Sequence, residues 1–423
     1  MSTDATRAHR ALAVAHLRVV TNLNYRPLNV VFGAAAIALC AAWAWKHESR
    51  PTPILPGVAE GRIANLPSVL IPERPPVAPE ERAPVAPIEE PAPGVAARFV
   101  RLFDAASFRR GNLHTHTNRS DGDSSPADVF AWYRTHGYDF LVITDHNMFT
   151  NPVDYTTESH PDFIVIGGEE VTMRGGGREV HVNALCTRHA VPGGTFPSAR
   201  EALAHGVLEI RSTGGLALIN HPNFTWGIKS SDLAAAAGAN LLEIYSGHPF
   251  VPSNGRPGTP SHETMWDMTL TEGLDYIGVA VDDMHRLRSV RGSRPGRAWV
   301  EVFADKLDAP TICEALEKGL LYSSTGPLLR RIRVTEDAYS IWPVDRNVDV
   351  LFIGNGGKIL ATHKGVSGEA AISYRIEGGE GYVRARVVRA DGKVAWTPAV
   401  RVQRPGVART IANEPPPATR TPG

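Results

Sequence analysis

The sequence predicts a mixed α/β fold in which seven short strands alternate with helices around a parallel sheet or barrel. Three observations lead to this prediction. From about Phe99 short apolar runs recur, amphipathic stretches separate them, and capping residues mark where several of those stretches begin. The chain has 423 residues and no net formal charge. A sequence-wide basic surface for nucleic acid is therefore absent, and no nucleic-acid partner is expected.

The first element along the chain is an apolar segment, Pro27 to Trp45, without any charged residue. As a helix it reaches roughly 28 Å, close to the hydrocarbon thickness of a bilayer. Arginines are concentrated before it and aromatic residues flank it, which predicts a cytoplasmic segment 1–26 and a transmembrane signal anchor 27–45. The catalytic part of the chain would then lie outside the cytoplasm, on the periplasmic side in a Gram-negative cell.

Three alternatives for this segment were weighed. Cleavage after Ala42-Trp43-Ala44 would make it a signal peptide and the protein secreted. A lipoprotein site at Cys40 is disfavoured because the bulky Leu39 precedes it. A buried core helix is disfavoured by the proline-rich residues that follow.

Proline-rich sequence flanks the body of the chain on both sides. Residues 46–97 are expected to form an extended, semi-rigid linker that holds a domain away from the membrane. Residues 404–423 form a second such stretch, which predicts a disordered tail.

The body, residues 98–345, contains the seven candidate strands. They are Gly111–His116, Asp139–Thr144, Phe163–Glu170, Glu179–Cys186, Leu216–His221, Leu241–Tyr245 and Tyr276–Asp282. Helices are expected to begin after Ser125, Ser198 and Ser261, since each serine is followed by helix-starting residues.

Residues 346–403 change to alternating strands. Tyr382–Arg389 and Lys393–Thr397 flank Asp391-Gly392, which is typical of a hairpin turn. We expect a small antiparallel β module that packs on the barrel or caps its mouth.

The three cysteines, Cys40, Cys186 and Cys313, are far apart and form no C-x-x-C pair. The sequence therefore supports neither a disulfide framework nor a cysteine-based zinc site, and any metal chemistry falls to histidines and carboxylates.

Histidines and acidic residues recur at the C-terminal ends of the predicted strands. They are His114, His116, Asp145, His146, Glu169, Glu170, His181, His221, Asp282, Asp283 and His285. In a parallel barrel those ends share one face, and residues two apart on a strand point the same way. Carboxylates that converge in a buried site need cations, so this pattern predicts a multinuclear metal site. His189, His205 and His248 lie outside the pattern and are interpreted as structural.

The ordered motifs H-x-H-T-x-x-S-D-G, T-D-H-N, G-x-E-x-T, H, N-H-P and D-x-H, between about Gly111 and Pro327, resemble those of the PHP (polymerase and histidinol phosphatase) metallohydrolase family. The resemblance implies a distorted seven-stranded (β/α)7 barrel with two to three divalent metal ions. Stretches such as GNLHTHTNRSDG and VAVDDMH are similar to the carbaryl-hydrolase-like branch of that family.

The resemblance also implies nine ligands shared among three ions. One ion would bind His114, His116, Glu170 and Asp283, a second Glu170, His181 and His221, and a third Asp121, His146 and His285. Glu170 is preferred to Glu169 because of its alignment to the following Val171-Thr172. Asp145, Asp282 and Asn183 are expected to orient the imidazoles.

Such ligands suit Zn, Mn or Fe. The pKa of a water that lies between two of these ions falls from about 15.7 towards 7. Such a water supplies a bridging hydroxide for hydrolysis. Glu170, Asp283 and His285 are the candidate catalytic residues, the last two for proton transfer.

A small-molecule phosphate ester outside the cytoplasm is the favoured substrate, with cleavage of a carbamate, carboxylic ester or amide as the alternative. Phosphate needs cationic partners, for which the candidates are Arg174, Arg178, Arg286, Arg288 and Arg291. An uncharged ester needs an apolar pocket, for which the candidates are Phe224, Trp226, Tyr245 and Trp266. A protein that binds metal and ligand without turnover is the third possibility.

Overall fold

The structure, a computed structural model, describes Pro72 and residues 103–236, 238–368 and 370–402. The predicted membrane anchor 27–45 and the tail 404–423 lie outside the described residues, as does the linker apart from Pro72. Within the described ranges, no helix combines the length and the apolar character needed to cross a bilayer. The predicted domain boundaries stay predictions.

The described residues form twenty strands and five α-helices. The strands are β1 Phe103–Ala106, β2 Phe108–Asn112, β3 Phe140–Val142, β4 Ile164–Ile166, β5 Gly168–Gly175, β6 Arg178–Leu185, β7 Thr195–Phe196, β8 Leu216–Ile219, β9 Leu241–Ser246, β10 Ile277–Val281, β11 Trp299–Phe303, β12 Leu321–Ser324, β13 Leu329–Val334, β14 Ala338–Pro343, β15 Val348–Gly354, β16 Lys358–Val366, β17 Ile372–Arg375, β18 Tyr382–Val388, β19 Val394–Trp396 and β20 Val400–Arg401. The helices are α1 Pro126–Thr135, α2 Ala199–Ser212, α3 Ser230–Leu233, α4 His262–Thr271 and α5 Ala309–Lys318.

Three sheets contain these strands. A six-stranded sheet has the order β10-β9-β8-β6-β5-β7, and a ten-stranded sheet runs β16-β15-β18-β19-β12-β11-β2-β3-β4, with β20 paired to β18. The third sheet is four-stranded, β1-β13-β14-β17. The antiparallel strands after residue 346 thus largely continue the sheet that carries β2 and β3.

The expected closed parallel barrel is not formed by the described residues. In the six-stranded sheet β6 is antiparallel to both β5 and β8. The two large sheets approach through isolated bridges, Thr115 to Met284, His146 to Glu170 and Thr150 to Gly168, instead of through continuous strand pairing. Only a short 3₁₀ turn, Pro152–Tyr155, occupies the β3–β4 connection where an α-helix was expected. The fold is mixed α/β and rich in sheet.

Strand β8 shows how the six-stranded sheet is held between two cores. Its alternate residues Leu216 and Leu218 join an apolar core with Leu113 and with residues of β3, β10 and β11, whereas Ala217 and Ile219 join the core against α2 and α4. Because both faces are covered, the strand reads as an uninterrupted apolar run. This burial explains why the sequence signal for the strand was strong.

The predicted helix starts are observed. Ser125, Ser198 and Ser261 are the N-cap residues of α1, α2 and α4, and each side-chain oxygen accepts a hydrogen bond from the backbone N–H three residues later. The predicted hairpin turn also forms between β18 and β19, with Gly392 at φ +81°. Local capping and turn chemistry therefore operates as the sequence indicates.

The interpretation of the cysteines is wrong. Cys186, directly after β6, and Cys313 in α5 form a disulfide with a Cα–Cα distance of 6.1 Å. The two cysteines are 127 residues apart in the sequence, and tertiary packing decides whether residues that far apart meet. Local spacing therefore could not reveal this pair.

Candidate metal centre

The nine predicted ligands lie together in one cluster. All belong to overlapping groups whose ligand atoms lie within 4.8 Å of one another. These groups are His114/His116/Glu170, His114/His221/Asp283, His146/Glu170/His181 and His116/Asp121/His146/His285. Each group could hold a divalent metal ion, but the four groups differ in part from the predicted partition into three: His221 lies with His114 and Asp283, and His146 also lies with Glu170 and His181.

The strands bring these residues together in a different way from that expected. Strand β2 ends at Asn112 and β10 ends at Val281, so the H-x-H and D-x-H pairs lie beyond their strands. Asp283 adopts a left-handed conformation, φ +50°, instead of continuing the strand. Backbone hydrogen bonds link these loops: His116 N–H donates to Met284 O, and Asp283 N–H donates to His114 O. A left-handed backbone conformation like that of Asp283 costs about 1–3 kcal/mol, and residues held in such conformations cluster at functional sites.

Glu170 lies at the centre of the cluster. Its Oε2 is 3.2 Å from His114 Nε2, 3.1 Å from His116 Nε2 and 3.2 Å from His146 Nδ1. Its Oε1 faces the other side, 2.9 Å from His181 Nδ1 and 3.4 Å from His221 Nε2. The two oxygens of one carboxylate thus serve two separate sets of histidines, which is the arrangement a bridging ligand requires.

Glu169 points away from this centre because successive side chains on a strand face opposite sides. Its Oε2 accepts a hydrogen bond from the backbone N–H of Val191 at 2.9 Å. The structure therefore brings Glu170, and not Glu169, to the histidines.

The third position is more open. Asp121 has a side chain that is 54% exposed, and its Oδ2 lies 3.3 Å from His285 Nε2 and 3.8 Å from His146 Nε2. His285 Nδ1 is 3.0 Å from the carbonyl oxygen of Asp283, so Nδ1 carries the proton that it donates and Nε2 presents its lone pair. This position faces the solvent, whereas the Glu170 positions are buried.

The electrostatic field of the site favours cations. Burial opposes protonation of His116, yet Asp283 and Glu170 outweigh it and raise the pKa of this histidine to about 9. Burial likewise opposes ionisation of Glu170, yet His114, His181 and His146 hold its pKa well below the usual value. A field that attracts a proton this strongly also attracts a divalent cation.

The geometry of the nitrogen atoms tests whether metal ions fit. His114 Nδ1 lies 2.6 Å from Glu243 Oε1 and must donate to it, so His114 Nε2 bears a lone pair. That lone pair faces His116 Nε2 at 3.1 Å, so either a proton or a metal ion has to lie between the two nitrogens. The buried ring nitrogens of His181 have no hydrogen bond of proper geometry within the described residues, although Nδ1 is 2.9 Å from Glu170. The donor set therefore fits divalent metal ions of the Zn, Mn or Fe type.

Sequence reasoning missed Glu243. This fully buried residue on β9 bonds to His114 through Oε1 and accepts the backbone N–H of His221 through Oε2 at 2.8 Å. A carboxylate that fixes an imidazole tautomer is a common partner of metal-binding histidines. The available signal was one glutamate inside the apolar strand sequence LLEIYS.

The residues expected to orient imidazoles have other partners. Asp145 accepts hydrogen bonds from Thr117 and Ser120 and so shapes the loop after His116. Asp282 accepts from Tyr133 and from backbone N–H groups at 296–298, while burial raises its pKa to about 6. Asn183 donates to Leu113 O and accepts from Asn220, which in turn donates to Glu170 Oε1.

A cavity of about 230 Å³ opens above the cluster. Of the five arginines considered, only Arg286 lines it; Arg174 and Arg288 are in ion pairs with Glu179 and Asp128. Arg178 donates to Thr225 O at 2.6 Å, and Arg291 is not among the lining residues. Arg286 has no carboxylate partner in the described part of the chain, and its Nη1 donates only to the backbone oxygen of Asp121 at 3.4 Å.

Of the four aromatic candidates, only Phe224 lines the cavity. Trp266 is buried in the core, Tyr245 packs 6.0 Å from Trp396, and the Trp226 ring lies beneath the Arg256 guanidinium at 3.8 Å. Phe250 and Val251 line the cavity instead, and the sequence analysis did not identify them.

The structural interpretation of His248 is wrong. Its ring lies in the cavity, 5.2 Å from that of His285, because the residue follows the end of β9 as the other site residues follow their strands. His189 and His205 do not line the cavity, and His205 packs against Phe196.

No family model and no curated protein matches this sequence. Similar solved structures include the following three. A two-domain protein containing a predicted PHP-like metal-dependent phosphoesterase, from Bacteroides vulgatus, shares 14% identity at a TM-score of 0.40, over 71% of this chain and 97% of that one. A candidate metal-dependent phosphoesterase from Bifidobacterium adolescentis shares 16% identity at a TM-score of 0.33, over 44% and 92%. An amidohydrolase from Chromobacterium violaceum, with bound sulfate and no metal, shares 16% identity at a TM-score of 0.31, over 42% and 87%.

These likenesses are too distant to carry a functional argument. The closer resemblance to the carbaryl-hydrolase-like branch finds no support among them. The function must be inferred from the site itself.

Proposed function

We propose that this protein is a metal-dependent hydrolase of the PHP type and that its substrate is a small phosphate ester. The observation that carries the proposal is the convergence of nine histidine and carboxylate ligands around Glu170, whose two oxygens face different histidine sets. Buried ligands of this kind hold divalent ions, which acidify water and polarise the substrate oxygen.

The chain's own residues supply the remaining steps. Asp283 Oδ1 faces His114 at 3.4 Å, while Ser246 Oγ donates to its Oδ2 at 3.3 Å and holds the carboxylate in place. Burial opposes ionisation of Asp283, yet the neighbouring histidines hold its pKa well below its usual value, so it is ionised. An ionised carboxylate here can accept a proton from an attacking water that bound metal ions would acidify. Water oxygen bonds to phosphorus, the ester P–O bond breaks, and the departing alcohol takes up the proton that Asp283 has accepted.

Arg286 favours phosphate over an uncharged ester. Its guanidinium lines the cavity without a carboxylate partner among the described residues, and such a group binds phosphate oxygens well. The carbamate or carboxylic ester alternative depends on aromatic candidates of which only Phe224 lines the cavity.

The disulfide supports the proposal that the enzyme works outside the cytoplasm. Disulfides such as Cys186–Cys313 persist in oxidising compartments and are rare in the cytosol. This agrees with the membrane anchor proposed for residues 27–45. The topology can be tested with a reporter that is active only in the cytoplasm, fused after Gly423. Activity of this reporter would reject the proposed location outside the cytoplasm.

Turnover by the purified full-length protein tests the function. We expect hydrolysis of p-nitrophenyl phosphate that depends on added Zn, Mn or Fe and disappears after chelation. Bis(p-nitrophenyl) phosphate and an aryl carbamate should be assayed in parallel, because preference for the carbamate would reject the phosphoesterase. Metal binding without hydrolysis of any of the three substrates would favour the alternative of a non-catalytic binding protein. Hydrolysis that survives complete removal of metal would reject the mechanism.

A further inference from the structure

We propose that the substrate carries an aromatic or similar flat ring on the leaving-group side, and that Phe250 is the residue that selects it. The inference rests on the proposed phosphoesterase function and names the substrate class of that same site. The ring would pack on a wall formed by Phe224, Phe250 and Val251, which we call the apolar wall, while the phosphate faces Arg286 and the ligand cluster.

Phe250 carries the argument because its exposure is unusual. The side chain is 79% exposed, the highest exposure among the large apolar side chains described, although it lines the cavity. Within the described part of the chain, its one aromatic contact is with His248, at 5.6 Å between ring centroids. A ring this exposed at the mouth of a binding cavity gains most when a ligand covers it.

Phe224 lies deeper on the same wall. Its ring packs edge-on against His221 at 5.2 Å and lies 5.9 Å from His181. Val251 is buried and lines the same cavity. The cavity thus contains both the metal-ligand histidines and an exposed aromatic ring, so a substrate bound at the cluster can reach that ring.

The loop that carries Phe250 is fixed to the catalytic centre. The backbone N–H of Phe250 donates to His248 Nδ1 at 3.2 Å, and the N–H of His248 donates to Ser246 Oγ at 3.2 Å. Ser246 Oγ in turn donates to Asp283 Oδ2. The position of the exposed ring is therefore set relative to the ligand Asp283 before any substrate arrives.

The lining of the cavity combines two kinds of chemistry. Arg286 offers a positive charge beside the open Asp121 position, whereas the apolar wall offers no charge. A phosphate monoester with a ring-bearing leaving group can use both, whereas an alkyl phosphate can use only the charge.

Competitive inhibition separates ring binding from chemistry, because phosphonates are not hydrolysed. In the metal-loaded full-length enzyme, phenylphosphonate should inhibit more strongly than methylphosphonate. Phe250→Ala should raise the Ki of phenylphosphonate about three- to tenfold, which corresponds to the interaction free energy typical of an aromatic pair. It should leave the Ki of methylphosphonate unchanged. Phe250→Trp should restore the preference.

Leu208→Ala is the matched control, since Leu208 is an apolar side chain on α2 that is 67% exposed and does not line the cavity. It should change neither Ki. If Phe250→Ala leaves both constants unchanged, or raises both equally, the apolar wall does not select the ring and the inference is overturned. Absence of any metal-dependent phosphate-ester hydrolysis is a separate result, which would reject the proposed function and the inference with it.

Discussion

Replacing Glu243 by glutamine tests whether the buried carboxylate behind His114 sets metal affinity. Glutamine keeps an oxygen that can accept the His221 N–H, but its amide NH₂ then faces His114 Nδ1–H, donor against donor. His114 can relieve this contact only by moving its proton to Nε2, which is the atom that must bind metal. The variant should therefore bind metal more weakly at an otherwise intact site.

The size of the effect follows from the one bond that is lost. A hydrogen bond to a charged group at 2.6 Å contributes about 1.5–3 kcal/mol. At about 1.4 kcal/mol per factor of ten, Glu243→Gln should weaken metal binding roughly 10- to 100-fold, the range usual for partners of metal-binding histidines.

Calorimetric titration with Zn or Mn, together with metal analysis after dialysis, measures this change. Glu169→Gln is the matched control: it also replaces a buried carboxylate, but this one faces away and needs only to accept the Val191 N–H, which glutamine can do. Equal affinities for the wild type and the Glu243 variant would refute the role assigned to this residue. Equal losses in both variants would show a general effect of removing buried charge.

Three further outcomes are expected. Asp283→Asn should lower kcat about 10²- to 10⁴-fold with an unchanged circular dichroism spectrum, because an amide cannot accept the proton; near-wild-type kcat would contradict this. Burial opposes protonation of His116 and His181, but neighbouring carboxylates raise the pKa of each to about 9. Since protons compete with metal, affinity measured by titration should rise from pH 7 to 9 and then level off, and a fall over this range would count against the ligand assignment. Cys313→Ser should destabilise the protein by about 2–5 kcal/mol in denaturant unfolding, because the disulfide joins residues 127 positions apart, whereas Cys40→Ser, which leaves this bond intact, should not.

Much of the local structure was predictable because it depends on neighbouring residues. The serine caps at Ser125, Ser198 and Ser261 and the turn at Asp391-Gly392 act over three or four residues, and they are found where the sequence indicates. The strand ends were less accurate. Apolar runs continue past the last ladder hydrogen bond, so His114 and Asp282 were predicted on strands but lie in the loops that follow.

The missed site residues share one cause. Glu243, His248 and Phe250 all lie on or just after β9, a strand to which no motif drew attention. Their importance comes from what they contact: His114 for Glu243, His285 for His248, and open solvent at the cavity mouth for Phe250.

By itself, the sequence determined which residue types could bind metal, in what order they occur, and where helices begin, because each of these properties is local to the chain. Only the tertiary structure decided that Glu170 and not Glu169 faces the histidines, that Cys186 meets Cys313, and that two sheets meet through single bridges instead of closing. These features depend on contacts between residues far apart in sequence, and such contacts are set by how the two faces of each sheet are buried.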